Sequence, residues 1–225
     1  MQTPSPVRHL AIIPDGNRRW ARARGLTAQE GHRAGIAAID AAVRAAFDSG
    51  AECVTFWWGS PANLQKRDPE EVRGILAALS EWLTEAAPAL LGEYDARFSA
   101  YGRIDELCPS LTIPLAAAGA AAGTGPRRVV LLMAYDGRDE ILAAAAKLTR
   151  GEVQELEQGL WTADLPDVDL LIRSGDSAHL SAGFMIWRIS EARLCFVPEL
   201  WPAVGPEQVR ELMASAGASS RRYGA

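Results

Sequence analysis

HLAIIPDGNRRW, running from His9 to Trp20, is the stretch from which the rest of this chain is read. His9–Ile13 is short and largely apolar, as a buried strand requires. Pro14-Asp15-Gly16-Asn17 supplies turn chemistry. Arg18, Arg19, Arg22 and Arg24 then place four arginines within seven residues, at the start of a helix. Gly16 lets backbone approach a ligand closely, and the free N–H groups of a helix start attract phosphate. Arg19 adds paired contacts to phosphate oxygens. Asp15 suits Mg²⁺, which takes one or two carboxylates together with substrate phosphates and water. Taken alone, Asp-Gly-Asn reads equally well as a helix cap with a solvated basic face.

Outward from this stretch, apolar β-type runs alternate with helical patterns. Strands are expected at His9–Ile13, Cys53–Trp57, Arg97–Tyr101, Val129–Ala134 and Val168–Ile172. Helices are expected at Glu30–Ser49, Pro69–Leu91, Asp139–Lys147 and Pro206–Ala216. The alternation predicts an α/β fold with a central, mostly parallel sheet flanked by helices. Ligands in such folds sit beyond the carboxyl ends of the strands. Polar clusters follow four of the strands: Asp15 to Arg19, Ser60 with Asn63, Asp136-Gly137-Arg138, and Arg173-Ser174-Gly175-Asp176. Together they point to one anion- and metal-binding cleft.

The 225 residues fit one α/β domain, residues 1–225. Net charge is −5, so no global basic field invites nucleic acid. Cys53, Cys108 and Cys195 form no metal-ligand spacing and read as thiols of a reducing cytoplasm. The most apolar stretch, Leu111 to Gly125, is too short to span a bilayer. The expectation is a cytoplasmic protein with at most peripheral membrane contact. Of the adjacent Trp57 and Trp58, one is expected to face the core and the other the cleft.

HLAIIPDGNRRWAR at residues 9–22 closely resembles the opening motif of the cis-prenyltransferases, the undecaprenyl and dehydrodolichyl diphosphate synthase family. The resemblance continues through Gly31-His32-Arg33-Ala34-Gly35, Ser60 and Asn63 ahead of Arg67, Ala134 to Ile141, Thr162 to Arg173, and Phe196 to Leu200-Trp201-Pro202. It ends at Arg221-Arg222-Tyr223-Gly224. It implies the family fold, an apolar tunnel for the prenyl chain, isoprenoid diphosphate substrates, Mg²⁺ and a homodimer. It implies that Asp15 holds metal and diphosphate and that Gly16, Asn17, Arg18, Arg19, Trp20, His32 and Arg67 bind the allylic substrate. Ser60 and Asn63 match the polar pair beside the reacting carbons. Arg173, His179 and Ser181 match the second diphosphate site, and Gly224 a tail that reaches a partner subunit.

The departures from the family pattern cluster at that second site. A family arginine is His179, one residue is inserted before Phe184, and a carboxylate that helps hold Mg²⁺ becomes Arg193. Glu191 is a doubtful substitute if this stretch is helical. Three readings follow: regular elongation with isopentenyl diphosphate, a non-catalytic diphosphate-binding partner subunit, or an irregular head-to-middle synthase of the lavandulyl type. The intact Asp-Gly-Asn element disfavours the second. An intact ionisation site beside a rewired acceptor site favours the third.

Overall fold

The computed structural model describes residues 6–218. In chain order it holds β1 (His9–Ile13), α1 (Asn17–Arg22), α2 (Ala28–Asp48), β2 (Cys53–Gly59), α3 (Pro61–Lys66), α4 (Pro69–Glu81), α5 (Ala87–Glu93) and β3 (Arg97–Tyr101). There follow α6 (Ile104–Leu107), α7 (Thr112–Ala121), β4 (Arg128–Met133), α8 (Gly137–Ala145), α9 (Val153–Gly159), β5 (Leu170–Arg173), β6 (Arg193–Phe196) and α10 (Pro206–Ala218). The six strands form one sheet in the order β3-β4-β2-β1-β5-β6, and every neighbouring pair is parallel.

A parallel sheet is buried on both faces, which is why its central strands read as unbroken apolar runs. Leu10 and Ile12 of β1 join a core with Val54, Phe56 and Trp58 of β2 and the inner faces of α2 and α4. Ala11 and Ile13 point the other way, to Leu132, Tyr135, Leu171, Phe184 and Met185. Helix α2 starts at Ala28, because Thr27 and Glu30 form a reciprocal capping box. Among the described residues, no helix is long and apolar enough to cross a membrane.

Two local readings differ from what is observed. The helix expected over Pro69–Leu91 is interrupted by a π-helical turn at Trp82–Ala86, just before Pro88. Proline has no N–H to donate, and the wider turn absorbs the gap: Ala87 donates to the Trp82 carbonyl, five residues back. Arg193–Phe196 is an edge strand rather than a helix. Its register sets Arg193 opposite Leu170 and Phe196 opposite Arg173. Arg193 thus sits three residues, about 10 Å at ~3.3 Å per residue, down the sheet from the level of Arg173. Between α2 and α4 the core holds Ile39, Ile75, Leu79 and Leu83, and beside it Ile36, Ala37, Ala78 and Trp82 line a cavity of about 370 Å³.

Candidate active site

The turn after β1 is held from several directions. Gly16 has φ 106°, and a Cβ there would lie 2.7 Å from Leu200 Cδ2, so only glycine fits. Ser174 Oγ accepts from the Asp15 N–H at 3.0 Å and donates to the Asp15 carbonyl at 2.8 Å. Trp201 N–H also donates to that carbonyl, at 2.9 Å. Asn17 and Ala21 of α1 pack so closely on α2 that a side chain at Gly31 or Gly35 would collide with them. The Gly-His-Arg-Ala-Gly segment is therefore a docking surface for α1, and it carries His32 into the site. Helix α1 has only six residues, so its dipole is short and its arginines supply most of the positive charge.

Asp15 lies between two arginine systems. Its Oδ2 accepts from Arg173 Nη2 at 3.0 Å, and its Oδ1 from Arg19 Nη2 at 3.4 Å. Arg19 also donates to the Gly175 carbonyl at 2.7 Å. Arg173 is 4% exposed and donates through Nη1 to the His179 carbonyl and to Ser181 Oγ, at 2.8 and 2.6 Å. His179 Nε2 stands 3.5 Å from Ser181 Oγ.

Ser60 caps α3. Asn63 N–H donates to Ser60 Oγ at 3.1 Å, and Ser60 N–H to Asn63 Oδ1 at 3.3 Å. His32 is buried edge-on to Trp58, with ring centroids 6.4 Å apart. Burial, with help from Arg67, pushes its pKa down to about 4, so it is neutral at physiological pH.

A cavity of about 530 Å³ collects Asp15, Asn17, His32, Ser60, Asn63, Arg67, Arg173, His179 and Ser181, with Asp136 and the indoles of Trp57 and Trp58. Beside it a smaller one, about 190 Å³, adds Gly16, Arg18 and Arg19 and shares Asp15, Asn17, His32 and Arg67. Both Trp57 and Trp58 reach the cavity wall, and each also packs into a different core. Trp20 lies outside both cavities, half-buried under the Arg24 guanidinium at 4.3 Å. Gly224, like Arg221 and Arg222, lies outside the described residues.

Sequence reasoning passed over Glu71, which no local motif marks, and placed Ser174 in a polar cluster without a role of its own. Ser174 grips Asp15 from 159 positions away. Glu71 pairs with Arg18, His32 and Arg67.

A sequence profile for undecaprenyl diphosphate synthase matches residues 13–224. The chain belongs to this cis-prenyltransferase family. It is 33% identical to a bifunctional protein, CrtB/UppS, of Streptomyces coelicolor, over 98% of this chain but 41% of that longer protein. It is 32% identical to the farnesyl-diphosphate-specific ditrans,polycis-undecaprenyl-diphosphate synthase of Vibrio cholerae, over 96% of this chain and 90% of that one. Among solved structures it resembles lavandulyl diphosphate synthase from Lavandula x intermedia in complex with dimethylallyl diphosphate. There the TM-score is 0.91 and the identity 30%, over 98% of this chain and 99% of that one. The family and its parallel α/β fold are thus the ones that the opening motif led us to expect, and the chain is an isoprenyl transferase.

The fit of a divalent metal is decided by the donor set. No cluster of three or more His, Cys, Asp or Glu side chains poised for a metal occurs among the described residues. Asp15 offers one carboxylate, already facing two guanidiniums. These residues suit an ion that arrives with a diphosphate and is held by Asp15 plus phosphate oxygens and water. They do not form a preassembled protein cage.

Proposed function

We propose that this prenyltransferase condenses two short isoprenoid diphosphates into a branched, head-to-middle product, with release of diphosphate. The observation that carries the proposal is the shape of the main cavity. It gathers Asp15, Arg67 and Arg173 with Trp57, Trp58 and Leu180 around about 530 Å³. A space of that size suits two short prenyl diphosphates.

In this reading Arg18, Arg19 and Arg67 with Gly16 and Asn17 grip the allylic diphosphate, and His32 contributes a neutral imidazole. Bound Mg²⁺, held by Asp15, would neutralise charge on the departing diphosphate. The arginines stabilise the same charge through fixed N–H groups. Trp57, Trp58 and Leu180 keep water from the allylic cation. The alkene of the second substrate, bound near Arg173, His179 and Ser181, attacks that carbon. The proton it loses passes to the released diphosphate by way of Ser60 and Asn63.

The likeness to a lavandulyl diphosphate synthase supports the branched product. The name of the Vibrio relative supports a second reading, regular head-to-tail elongation with isopentenyl diphosphate. Incubation with Mg²⁺ and each pair of dimethylallyl, geranyl, farnesyl and isopentenyl diphosphates, followed by product identification, separates the two. A branched product from dimethylallyl diphosphate is expected, and linear cis products alone would overturn the proposal. A third possibility, a non-catalytic diphosphate-binding subunit, predicts no diphosphate release from any pair.

We also assign residues 1–225 to one catalytic domain that acts as a homodimer in the cytoplasm. Strand β6 is an edge of the sheet, with Leu194 46% and Phe196 37% exposed. Such an edge is normally covered or blunted, and a second copy of the chain would cover it. Light scattering that finds only monomer at micromolar concentration would refute the dimer.

A further inference from the structure

One carboxylate behind the cavity wall meets three of the groups assigned above to the allylic diphosphate. Glu71 lies in the first turn of α4. Its Oε2 is 3.3 Å from Arg18 Nη1, and its Oε1 is 3.5 Å from His32 Nε2 and 3.8 Å from Arg67 Nη1. These partners come from α1, from α2 and from the junction between α3 and α4. Arg18 lines the smaller cavity, and His32 and Arg67 line both. Glu71 lines neither, and its side chain is 15% exposed.

Two guanidiniums and an imidazole that converge on one small pocket need a reason to stay there. The arginines repel each other, and the Arg67 side chain is three-quarters buried, so its charge is partly desolvated. Without a counter-charge, Arg67 would swing toward water and Arg18 would follow its own long stem outward. An arginine carries five N–H donors, so pairing with Glu71 from behind leaves others free to face a ligand.

We propose that Glu71 is a positioning residue for the diphosphate, fixing Arg18, His32 and Arg67 from outside the pocket so that their free donors converge within it. This rests on the reading of the pocket as a diphosphate site. Its own charge rules Glu71 out as a phosphate contact. Two effects of that charge oppose each other. It orders the cations, and it also weakens their pull on an anion. The sign of the change on neutralising it therefore decides the matter.

The experiment is calorimetric titration of the full chain with inorganic diphosphate and Mg²⁺ at fixed ionic strength. Wild type is compared with Glu71→Gln, Glu71→Asp and the neighbouring control Glu70→Gln. Glu70 pairs with the exposed Arg73 on the same helix. We expect Glu71→Gln to weaken binding about tenfold, Glu71→Asp to recover part of the loss, and the control to match wild type. In an Arg67→Gln background the Glu71→Gln effect should shrink, because the residue acts through that arginine. Equal or tighter binding by Glu71→Gln overturns the proposal, as does a lowered melting temperature with unchanged affinity. If wild type itself binds no diphosphate, the pocket assignment fails and the proposal falls with it.

Discussion

The two sides of Asp15 are built differently. On the α1 side, Arg18 and Arg19 are 53% and 49% exposed; Arg18 donates to Glu71, and Arg19 to Asp15 and the Gly175 carbonyl. On the β5 side, Arg173 is buried and engages Asp15, the His179 carbonyl and Ser181 at once. The first side holds donors in reserve for a ligand. The second spends its donors on the protein, shaping the 179–181 loop and fixing the carboxylate. Similar charges thus do unlike work, one by gripping and the other by framing.

Asp15 joins the two sides, so its loss should have the largest effect. Asp15→Ala is expected to lower turnover about a thousandfold, read as diphosphate release. Next comes the contrast between the arginines. Arg173→Met breaks a buried ion pair and should cost about 3 kcal/mol or more in chemical denaturation, together with activity. Arg19→Met should raise KM about tenfold with a melting temperature close to wild type, since the pair it breaks is exposed. Equal thermal losses in both variants would erase the distinction.

Trp58→Ala enlarges the cavity that Trp58 helps to line. Its expected signature is acceptance of a longer allylic substrate or a longer product by mass spectrometry, alongside a stability loss of about 3 kcal/mol. The smallest expected effect is on pH dependence. Burial holds His9 at a pKa of about 4, between the Pro166 carbonyl and Thr55 Oγ1, and His32 is depressed to a similar value. Unfolding lets both take up protons below about pH 6.5. Their stabilising contribution is therefore complete above that pH and declines as the pH falls toward 4. Melting temperatures measured from pH 7 to 5 should fall, and less steeply in His9→Gln.

Much of this was legible in the sequence, for physical reasons. β1 and β3 appear at the residues expected because each is a short run bounded by clear turn signals. The opening turn was legible because it packs several functions into adjacent residues. β6 was not, since four edge residues alternating between half-buried and exposed carry too little apolar signal. The break at Trp82–Ala86 needed the weight of Pro88 set against an otherwise helical pattern. Glu71, and the grip of Ser174 on Asp15, were invisible because the partners are distant along the chain. Trp20 lines neither cavity; its position in the motif says nothing of the direction its ring takes.

The contact of Gly16 with Leu200, and of the Asp15 carbonyl with Trp201, bears on how the molecule is made. The turn that carries the chemistry leaves the ribosome well before Leu200 and Trp201, which clamp it. A nascent chain therefore has no finished reaction centre until those residues have emerged and docked. Activity regained during refolding should accordingly track the docking of the C-terminal segment rather than the earlier pairing of the central strands.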